Sequence, residues 1–275
     1  MSLNPYLAHL NDPTTSNYRR VPTFEIKRKK NSSVELQKNP KETIYGNYKN
    51  YYGYRATDSR IMQFDKDWFE GKRVCDIGCN AGRITVEIAK KFNTSYVEGV
   101  DIDPELIRKA RYSLAVTQSL AGSDRQQYFP ISCVEQFGML PIHLQKDFNI
   151  HFRCGDWLHE SFPSPTDTLY DVVLALSITK WIHLNNGDGG VRYFFKKCYN
   201  YLNKGGIFIL ECQGLDGYRK RAGMTAEMRQ NYSDMEFFPD EFPRYLEKKI
   251  GFKLLKKVIP DEEGGFNRPL YIYIK

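Results

Sequence analysis

A glycine-containing turn between a short apolar strand and an amphipathic helix constrains the fold of this chain more than any other feature. The turn lies within Val74–Gly82, which reads Val-Cys-Asp-Ile-Gly-Cys-Asn-Ala-Gly. Gly78 permits a tight turn, and Gly82 lets the following helix, predicted to end near Phe92, pack closely on the strand. A strand, glycine turn and helix in this order are typical of nucleotide-binding α/β domains.

Strand-length apolar segments alternate with helical segments along most of the chain. This alternation indicates βαβ units with right-handed crossovers, and the last two strands, with almost no helix between them, indicate a closing hairpin. The predicted fold class is α/β, with a Rossmann-like, mostly parallel seven-stranded sheet and a closing antiparallel hairpin. The predicted strands span residues 73–77, 95–101, 150–154, 170–176, 207–211, 252–259 and 269–275. Helices are also predicted over 58–69 and 191–202.

The charges around the glycine turn favour a cationic nucleotide. The glycine spacing is GxxxG, and Asp76 just before it suits the amino group or sulfonium of S-adenosylmethionine better than a diphosphate. Asp101, about twenty residues further on, stands where such folds bind ribose hydroxyls. Asp103 is better explained as the cap of the next helix, which begins at Pro104. We therefore predict the class I methyltransferase form of this fold, with S-adenosyl-L-methionine as cofactor and S-adenosyl-L-homocysteine as product.

Two further strand ends would complete the cofactor pocket, because ligands of open parallel sheets lie at the carboxyl ends of the strands. Asp156 and Trp157 follow the third strand and are predicted to offer a carboxylate and a ring to the adenine. Leu176 and Ser177 follow the fourth strand, beneath the reacting methyl group.

Length and charge divide the chain unevenly. Residues 1–40 are polar, aperiodic and basic and are predicted to be a loosely ordered tail, whereas residues 41–275 form the methyltransferase domain with an insertion at 115–150. The formal net charge of +7 favours an anionic partner. The basic run Lys27–Lys30 fits a nuclear import signal, a phosphate contact or a solvated linker, and we expect a nuclear location, with the cytoplasm as the alternative.

Composition argues against several classes of protein. The apolar runs are too short to span a membrane, so no membrane partner is expected. The six cysteines form no CxxC pair, so no metal site is predicted.

Several segments together resemble the RNA methylphosphate capping enzymes, the bicoid-interacting family, which acts on small nuclear RNAs. The resemblance covers residues 44–275 except the insertion, and the first two of its five segments are specific to that family. The segments are Gly46–Arg55, Ser177–Asn185, Asp76–Gly82, Gly99–Asp103 and Gly265–Tyr273.

The resemblance implies transfer of one methyl group to the 5′ γ-phosphate of a small structured RNA that carries a 5′ triphosphate. It also implies assembly into a ribonucleoprotein, with a La-related protein as a possible partner. The residues that it marks as cofactor contacts are Tyr48, Arg60, Gly78, Cys79, Asn80, Asp101, Ile102 and Leu176. The residues that it marks for the phosphate and catalysis are Tyr48, Arg55, Lys180 and His183.

Elementary chemistry accounts for these residue types. A terminal phosphate oxygen is already anionic, so the enzyme mainly has to hold it in line with the methyl group, at about 3 Å. Lys180 and His183, three residues apart, are expected to share one face of a helical turn and reach the same phosphate. Arg55 can bind phosphate oxygens bidentately, and Tyr48 is expected to close over the methyl group.

Other cations and rings are expected to contact RNA. Tyr52 lies in an aromatic segment whose rings can stack on bases. The basic run Arg219, Lys220 and Arg221 is expected to steer RNA toward the cleft, as is Arg268, although a solvated charged loop explains the run equally well.

Three alternatives stay open at this point. The chain could be an RNA-binding subunit that retains capped RNA without required catalysis. It could methylate a small molecule, although the basic tail and the aromatic segment count against that. It could also act on a 5′ monophosphate, because the sequence does not reveal how many phosphates the cleft accepts.

Overall fold

The computed structural model describes residues 43–48, 58–121, 136, 148–161, 169–259 and 268–275. Its strands, all in one sheet, are Arg73–Ile77 (β1), Tyr96–Asp101 (β2), Ile150–Cys154 (β3), Tyr170–Leu176 (β4), Leu202–Glu211 (β5), Lys253–Val258 (β6) and Leu270–Ile274 (β7). The strand order is β3-β2-β1-β4-β5-β7-β6. Strands β1 to β5 are parallel, and β7 is antiparallel to both β5 and β6. The predicted fold class, including the closing hairpin, is confirmed.

Helices cover both faces of the sheet. The α-helices are Arg83–Phe92 (α1), Pro104–Ala121 (α2), Thr179–Tyr201 (α3), Leu215–Arg219 (α4), Ala226–Ser233 (α5) and Phe242–Tyr245 (α6), and α6 continues into a π-helical turn, Leu246–Ile250. Short 3₁₀ helices lie at Ser59–Gln63, Lys66–Trp68, Ala222–Met224 and Pro239–Glu241.

Three helical segments differ from the sequence prediction. We predicted a helix over 191–202, but α3 already begins at Thr179 and kinks at Gly187, where φ is 62° and ψ is −170°. We predicted one helix over 58–69, but two 3₁₀ helices form there, and the Asp58 carboxylate caps the first by accepting the Arg60 N–H. Helix α2 continues seven residues into the predicted insertion and ends at Ala121.

The core lies on both faces of the sheet, because alternate residues of each buried strand point to opposite sides. On one face, Val173 and Phe208 pack against the aromatic residues of α3, among them Phe194. On the other face, Val74 and Leu174 pack against α1 and the two 3₁₀ helices. Both faces of β1, β4 and β5 are therefore covered, and what remains accessible is the edge at which the parallel strands end.

Several predicted features lie outside the described residues, namely the tail at 1–40, with its basic run, and most of the insertion. No helix among the described residues is both long and apolar enough to cross a membrane.

Replacing Gly82 by alanine should destabilise the protein more than an ordinary glycine substitution. Its φ is +74°, and an added Cβ would lie 2.4 Å from Cζ of Phe152 and 2.9 Å from Cβ of Ala110. A left-handed alanine costs roughly 1–2 kcal/mol, and overpacking a core adds about 1–3 kcal/mol. Urea unfolding should therefore show Gly82→Ala losing about 2–4 kcal/mol of unfolding free energy.

The matched control is Gly205→Ala, since Gly205 has φ +77° and open space around its would-be Cβ. It should lose only the conformational part, about 1–2 kcal/mol. Equal losses in the two variants would contradict the packing explanation.

Candidate active site

The glycine turn ends β1 in a conformation that only glycine fills without strain. Gly78 has φ 74°, and the N–H groups of Gly78 and Cys79 both donate to the carbonyl oxygen of Val100, at 2.8 and 3.0 Å. A Cβ on Gly78 would lie 2.3 Å from Cγ2 of Ile178. The turn is therefore locked to the end of β2 on one side and to the residues after β4 on the other.

Asp101 lies beside this turn, at the end of β2. Its Oδ2 accepts the N–H of Asn80 at 2.8 Å, and its Oδ1 accepts the N–H of Asp103 at 3.0 Å. A carboxylate has about four acceptor sites, so it can accept a ribose hydroxyl beside these backbone groups. Burial raises the pKa of Asp101 from its ordinary value. Asp103 Oδ1 accepts the N–H of Glu105 at 2.8 Å, and its role as a helix cap is confirmed.

Asp76 is buried at the base of the same turn. Thr85 Oγ1 donates to Asp76 Oδ2 at 2.6 Å, and burial raises the pKa of Asp76 to about 6. The other predicted cofactor contacts on this side are Cys79 and Leu176, both buried, and Ile102, which is half-buried. A buried carboxylate with a raised pKa gains stability from a cationic ligand, because an opposite charge offsets the cost of its burial.

The segment 43–48 contacts both loops. Asn47 Nδ2 donates to Asp103 Oδ2 at 2.6 Å, and Asn80 Nδ2 donates to the carbonyl oxygen of Tyr48 at 3.4 Å. The structure thus brings Tyr48 to the glycine turn.

A buried ion-pair chain connects the 3₁₀ helices to the end of β5. The Arg60 guanidinium donates to Asp58, at 2.9 and 2.7 Å, and to Glu211 Oε2, at 2.6 Å. The same Glu211 oxygen accepts the hydroxyl of Ser177 at 2.6 Å, and that hydroxyl accepts a hydrogen bond from Arg268 at 2.9 Å. Ser177 has φ 61°, a left-handed conformation that is uncommon outside glycine and often marks a functional site. Arg60 therefore holds the carboxylates of Asp58 and Glu211 in place and also adds its own positive charge to the site.

Three cations meet where β4, β5 and β7 approach the open edge. Burial, together with the charges of Arg268 and Arg221, lowers the pKa of Lys180 to about 8. Arg221 lies 5.5 Å from the centre of the Tyr48 ring, and the edge of the Tyr48 ring faces Trp181 at 5.9 Å. We call Lys180, Arg221 and Arg268 the cation group. Like charges repel one another unless an anion lies between them, so this group is suited to bind a phosphate.

The structure does not bring His183 to the cation group. We predicted that His183 and Lys180 reach the same phosphate, but the His183 side chain has 0% exposure and its Nε2 lies 2.7 Å from Asp188 Oδ1. Its ring packs against Tyr218 and Phe242, at 5.5 and 5.9 Å. Burial lowers the pKa of His183, although Asp188 opposes this effect. The His183 ring thus packs α3 against the neighbouring aromatic residues. Its catalytic role stays a prediction.

The residues after β3 make their contacts mainly with other residues of the protein. The Trp157 ring is buried edge-on against Phe194, at 5.7 Å, so it packs in the core. Asp156 Oδ2 lies 2.7 Å from Nδ1 of His159. Lys197, fully buried, donates to the carbonyl oxygen of Trp157 at 2.5 Å and thereby fixes this loop. The contacts of Asp156 and Trp157 with adenine stay predictions.

The remaining predicted RNA contacts fall into two groups. Tyr52 and Arg55 lie outside the described residues. Arg219 and Lys220 are exposed, and Arg219 pairs with Asp216 at 3.4 Å, so neither belongs to the cation group. The sequence predicts RNA contact for the whole run 219–221, and the structure distinguishes Arg221, whose guanidinium lies over the Tyr48 ring, from its two exposed neighbours. The spacing alone does not separate the three, because the direction of each side chain depends on the short helices on either side of the run.

Sequence reasoning missed Glu211, because its partner Arg60 lies 151 residues away. In the part of the chain that the structure describes, no group of three or more His, Cys, Asp or Glu residues could hold a metal ion.

The arrangement fits S-adenosylmethionine. Asp76 offers a buried negative charge, Asp101 offers acceptors for ribose, and the glycine turn leaves no Cβ in the way. A solved structure shares this fold: the N-methyltransferase NodS from Bradyrhizobium japonicum, in complex with S-adenosyl-L-homocysteine, superposes with a TM-score of 0.50. It is 13% identical, and the match covers 86% of this chain and 98% of that one.

Asp76→Asn should stabilise the ligand-free protein and weaken cofactor binding. Because the folded-state pKa of Asp76 is raised to about 6, the contribution of this group to stability is lost as pH rises from about 4 to about 6. Asparagine removes that cost, on the order of 2 kcal/mol, and its oxygen can still accept from Thr85.

Urea unfolding at pH 7.5 should therefore show a higher unfolding free energy for Asp76→Asn, while calorimetric titration shows at least about tenfold weaker S-adenosylmethionine binding. Binding as tight as in the parent protein would place the cationic part of the cofactor elsewhere.

Two family models match parts of this chain, and several proteins resemble most of it. The Bicoid-interacting protein 3 (Bin3) model matches residues 170–275, and a methyltransferase domain model matches residues 69–120. The U6 snRNA methylphosphate capping enzyme Amus of Drosophila melanogaster is 34% identical over 84% of this chain and 74% of its own length. A protein of Arabidopsis thaliana named "Probable RNA methyltransferase" is 33% identical over 87% of this chain and 83% of its own length.

The human 7SK snRNA methylphosphate capping enzyme is 32% identical over 87% of this chain, which spans 40% of that longer protein. The chain belongs to the Bicoid-interacting protein 3 (Bin3) family and is an S-adenosylmethionine-dependent RNA methyltransferase.

Proposed function

We propose that this protein transfers a methyl group to the 5′ γ-phosphate of a small structured RNA and so forms a methylphosphate cap. The observation that carries the proposal is the cation group, which lies at the same sheet edge as the cofactor turn and is joined to it by Tyr48. Three convergent cations suit a terminal polyphosphate far better than a base or a ribose hydroxyl. Two relatives that carry such an activity in their names are about one third identical to this chain.

In this mechanism the protein mainly positions a nucleophile that is already charged. When bound, S-adenosylmethionine supplies a methyl group on a sulfonium: a phosphate oxygen forms the new O–C bond as the C–S bond breaks. Lys180 and Arg268 hold the phosphate oxygens, and no general base is needed because the oxygen carries no proton to remove. Trp181 and Tyr48 exclude water from the cofactor side of the cation group.

The second candidate is an RNA-binding subunit that retains capped RNA with little required catalysis. The same cation group favours it, since slow dissociation from a charged cleft would follow from the same contacts. Assembly with a La-related protein and a nuclear location stay predictions.

The direct test is transfer of labelled methyl from S-adenosylmethionine to a short hairpin RNA with a 5′ triphosphate, beside the same RNA with a 5′ monophosphate or a 5′ hydroxyl. We expect label on the triphosphate RNA, and we expect it to be absent from the hydroxyl RNA. Label on the monophosphate RNA alone would change the substrate class. Tight RNA binding without label on any RNA would favour the retaining subunit.

The activity should also depend on the charge of Lys180. Its pKa of about 8 means that the free enzyme loses this positive charge as pH rises through about 8, so kcat/KM for the triphosphate RNA should fall over that range. Lys180→Arg keeps the charge to much higher pH and should shift the fall upward. Lys180→Gln should lower kcat/KM by about 10- to 100-fold at pH 7. Identical alkaline falls in the parent protein and in Lys180→Arg would assign the titration to another group.

A further inference from the structure

The outermost strand of the sheet, β6, and the turn before it carry many positive charges. Between residues 248 and 257 the chain has five lysines and no aspartate or glutamate, and all five lysines are exposed. We call this surface the β6 basic edge; its members are Lys248 and Lys249 in the π-helical turn and Lys253, Lys256 and Lys257 in β6.

The lysines of β6 project on both sides of the strand. Lys256 Nζ lies 5.8 Å from the centre of the Trp68 ring, on one face of the sheet. Lys257 Nζ lies 5.3 Å from the centre of the Tyr271 ring, on the other face. Asp65 approaches Lys256 only to 3.9 Å, and an exposed pair of this kind neutralises little charge. A linear polyanion that lies along β6 can therefore contact the lysines on both faces of the sheet.

Strand register connects this edge to the cation group. Val258 pairs with Leu270, and Leu270 pairs with Glu211. Strand β6 therefore runs in the same direction as β5, and its carboxyl end lies on the same side of the sheet as the carboxyl end of β5. Glu211 is bonded through Ser177 to Arg268. With strands about 4.8 Å apart, the backbone of Lys257 lies roughly 10 Å from that of Glu211.

The sheet order also limits the path of a bound RNA. The cofactor residues follow β1 and β2, on one half of the sheet, whereas the cation group follows β4, β5 and precedes β7. An RNA whose 5′ end lies in the cation group therefore leaves away from the cofactor, across β7 and β6. Positive charge on its path supplies affinity without sequence preference.

We infer that the β6 basic edge binds the phosphate backbone of the RNA body, the nucleotides that follow the 5′ end. This inference rests on the proposed function. The competing explanation is that lysines on an edge strand only prevent pairing with other chains; it predicts aggregation of the variants but unchanged RNA binding.

The test is the triple variant Lys253→Gln, Lys256→Gln and Lys257→Gln. The KM for a 5′-triphosphorylated hairpin RNA should rise about tenfold with kcat unchanged, and kcat/KM for a 5′-triphosphorylated dinucleotide should not change. The dependence of log binding constant on log salt concentration should become shallower by about 2–3, which corresponds to 0.9 for each lost phosphate contact.

The matched control removes three exposed lysines elsewhere, Lys90 on α1, Lys196 on α3 and Lys204 in β5. It lowers the net charge equally and should leave hairpin binding and its salt dependence nearly unchanged. Hairpin affinity is measured by fluorescence anisotropy, which needs no methyl transfer. If the parent protein methylates no RNA, the proposed function fails, yet the two triple variants still decide the binding surface.

Equal hairpin affinity in the two triple variants would overturn the inference. Loss of methyl transfer to the dinucleotide as well as the hairpin would also overturn it, because the lysines would then act on the catalytic centre.

Discussion

The Arg60 guanidinium, held between Asp58 and Glu211, is the interaction on which the active site depends. Both carboxylates are almost fully buried, and removing one partner of such a pair typically costs 3–5 kcal/mol because a charge is left uncompensated. The chain of contacts continues from Glu211 through Ser177 to Arg268. It therefore fixes Arg268, a member of the cation group, relative to the residues that surround the glycine turn.

The topology of the sheet explains how residues far apart in the sequence come together in one site. Because β1, β2, β4 and β5 are parallel, their carboxyl ends lie at one edge, and the loops that follow them share one cleft. The cofactor residues Asp76 and Asp101 come from one half of this edge. Lys180 and Arg268 come from the other half, so the proposed function has the methyl donor and its acceptor approach from opposite sides.

Sequence reasoning worked where a local motif determines the structure. The glycine turn requires Gly78 and Gly82, whose would-be Cβ atoms meet Ile178 and Phe152, and this requirement is visible in the spacing alone. The cap formed by Asp103 is equally local. The central strands β1, β2, β4 and β5 could be predicted because buried strands are short and apolar.

Reasoning failed where the role of a side chain depends on distant parts of the chain. His183 shares a helical face with Lys180 in the sequence pattern, but the ring is drawn inward by Asp188 and by aromatic residues of α4 and α6. In the basic run after β5, the predicted RNA contact covers all three residues, but only Arg221 lies over Tyr48, whereas Arg219 is in solvent; short helices on either side of the run set these directions. Neither outcome is encoded in the spacing of the residues concerned.

The most direct test of the central claim is a crystal structure of the protein with S-adenosyl-L-homocysteine and a short 5′-triphosphorylated RNA. The account predicts the γ-phosphate within hydrogen-bonding distance of Lys180 Nζ and the Arg268 guanidinium, with one oxygen facing the sulfur of the cofactor product. A base or a ribose hydroxyl at that position, with the triphosphate in solvent, would contradict it.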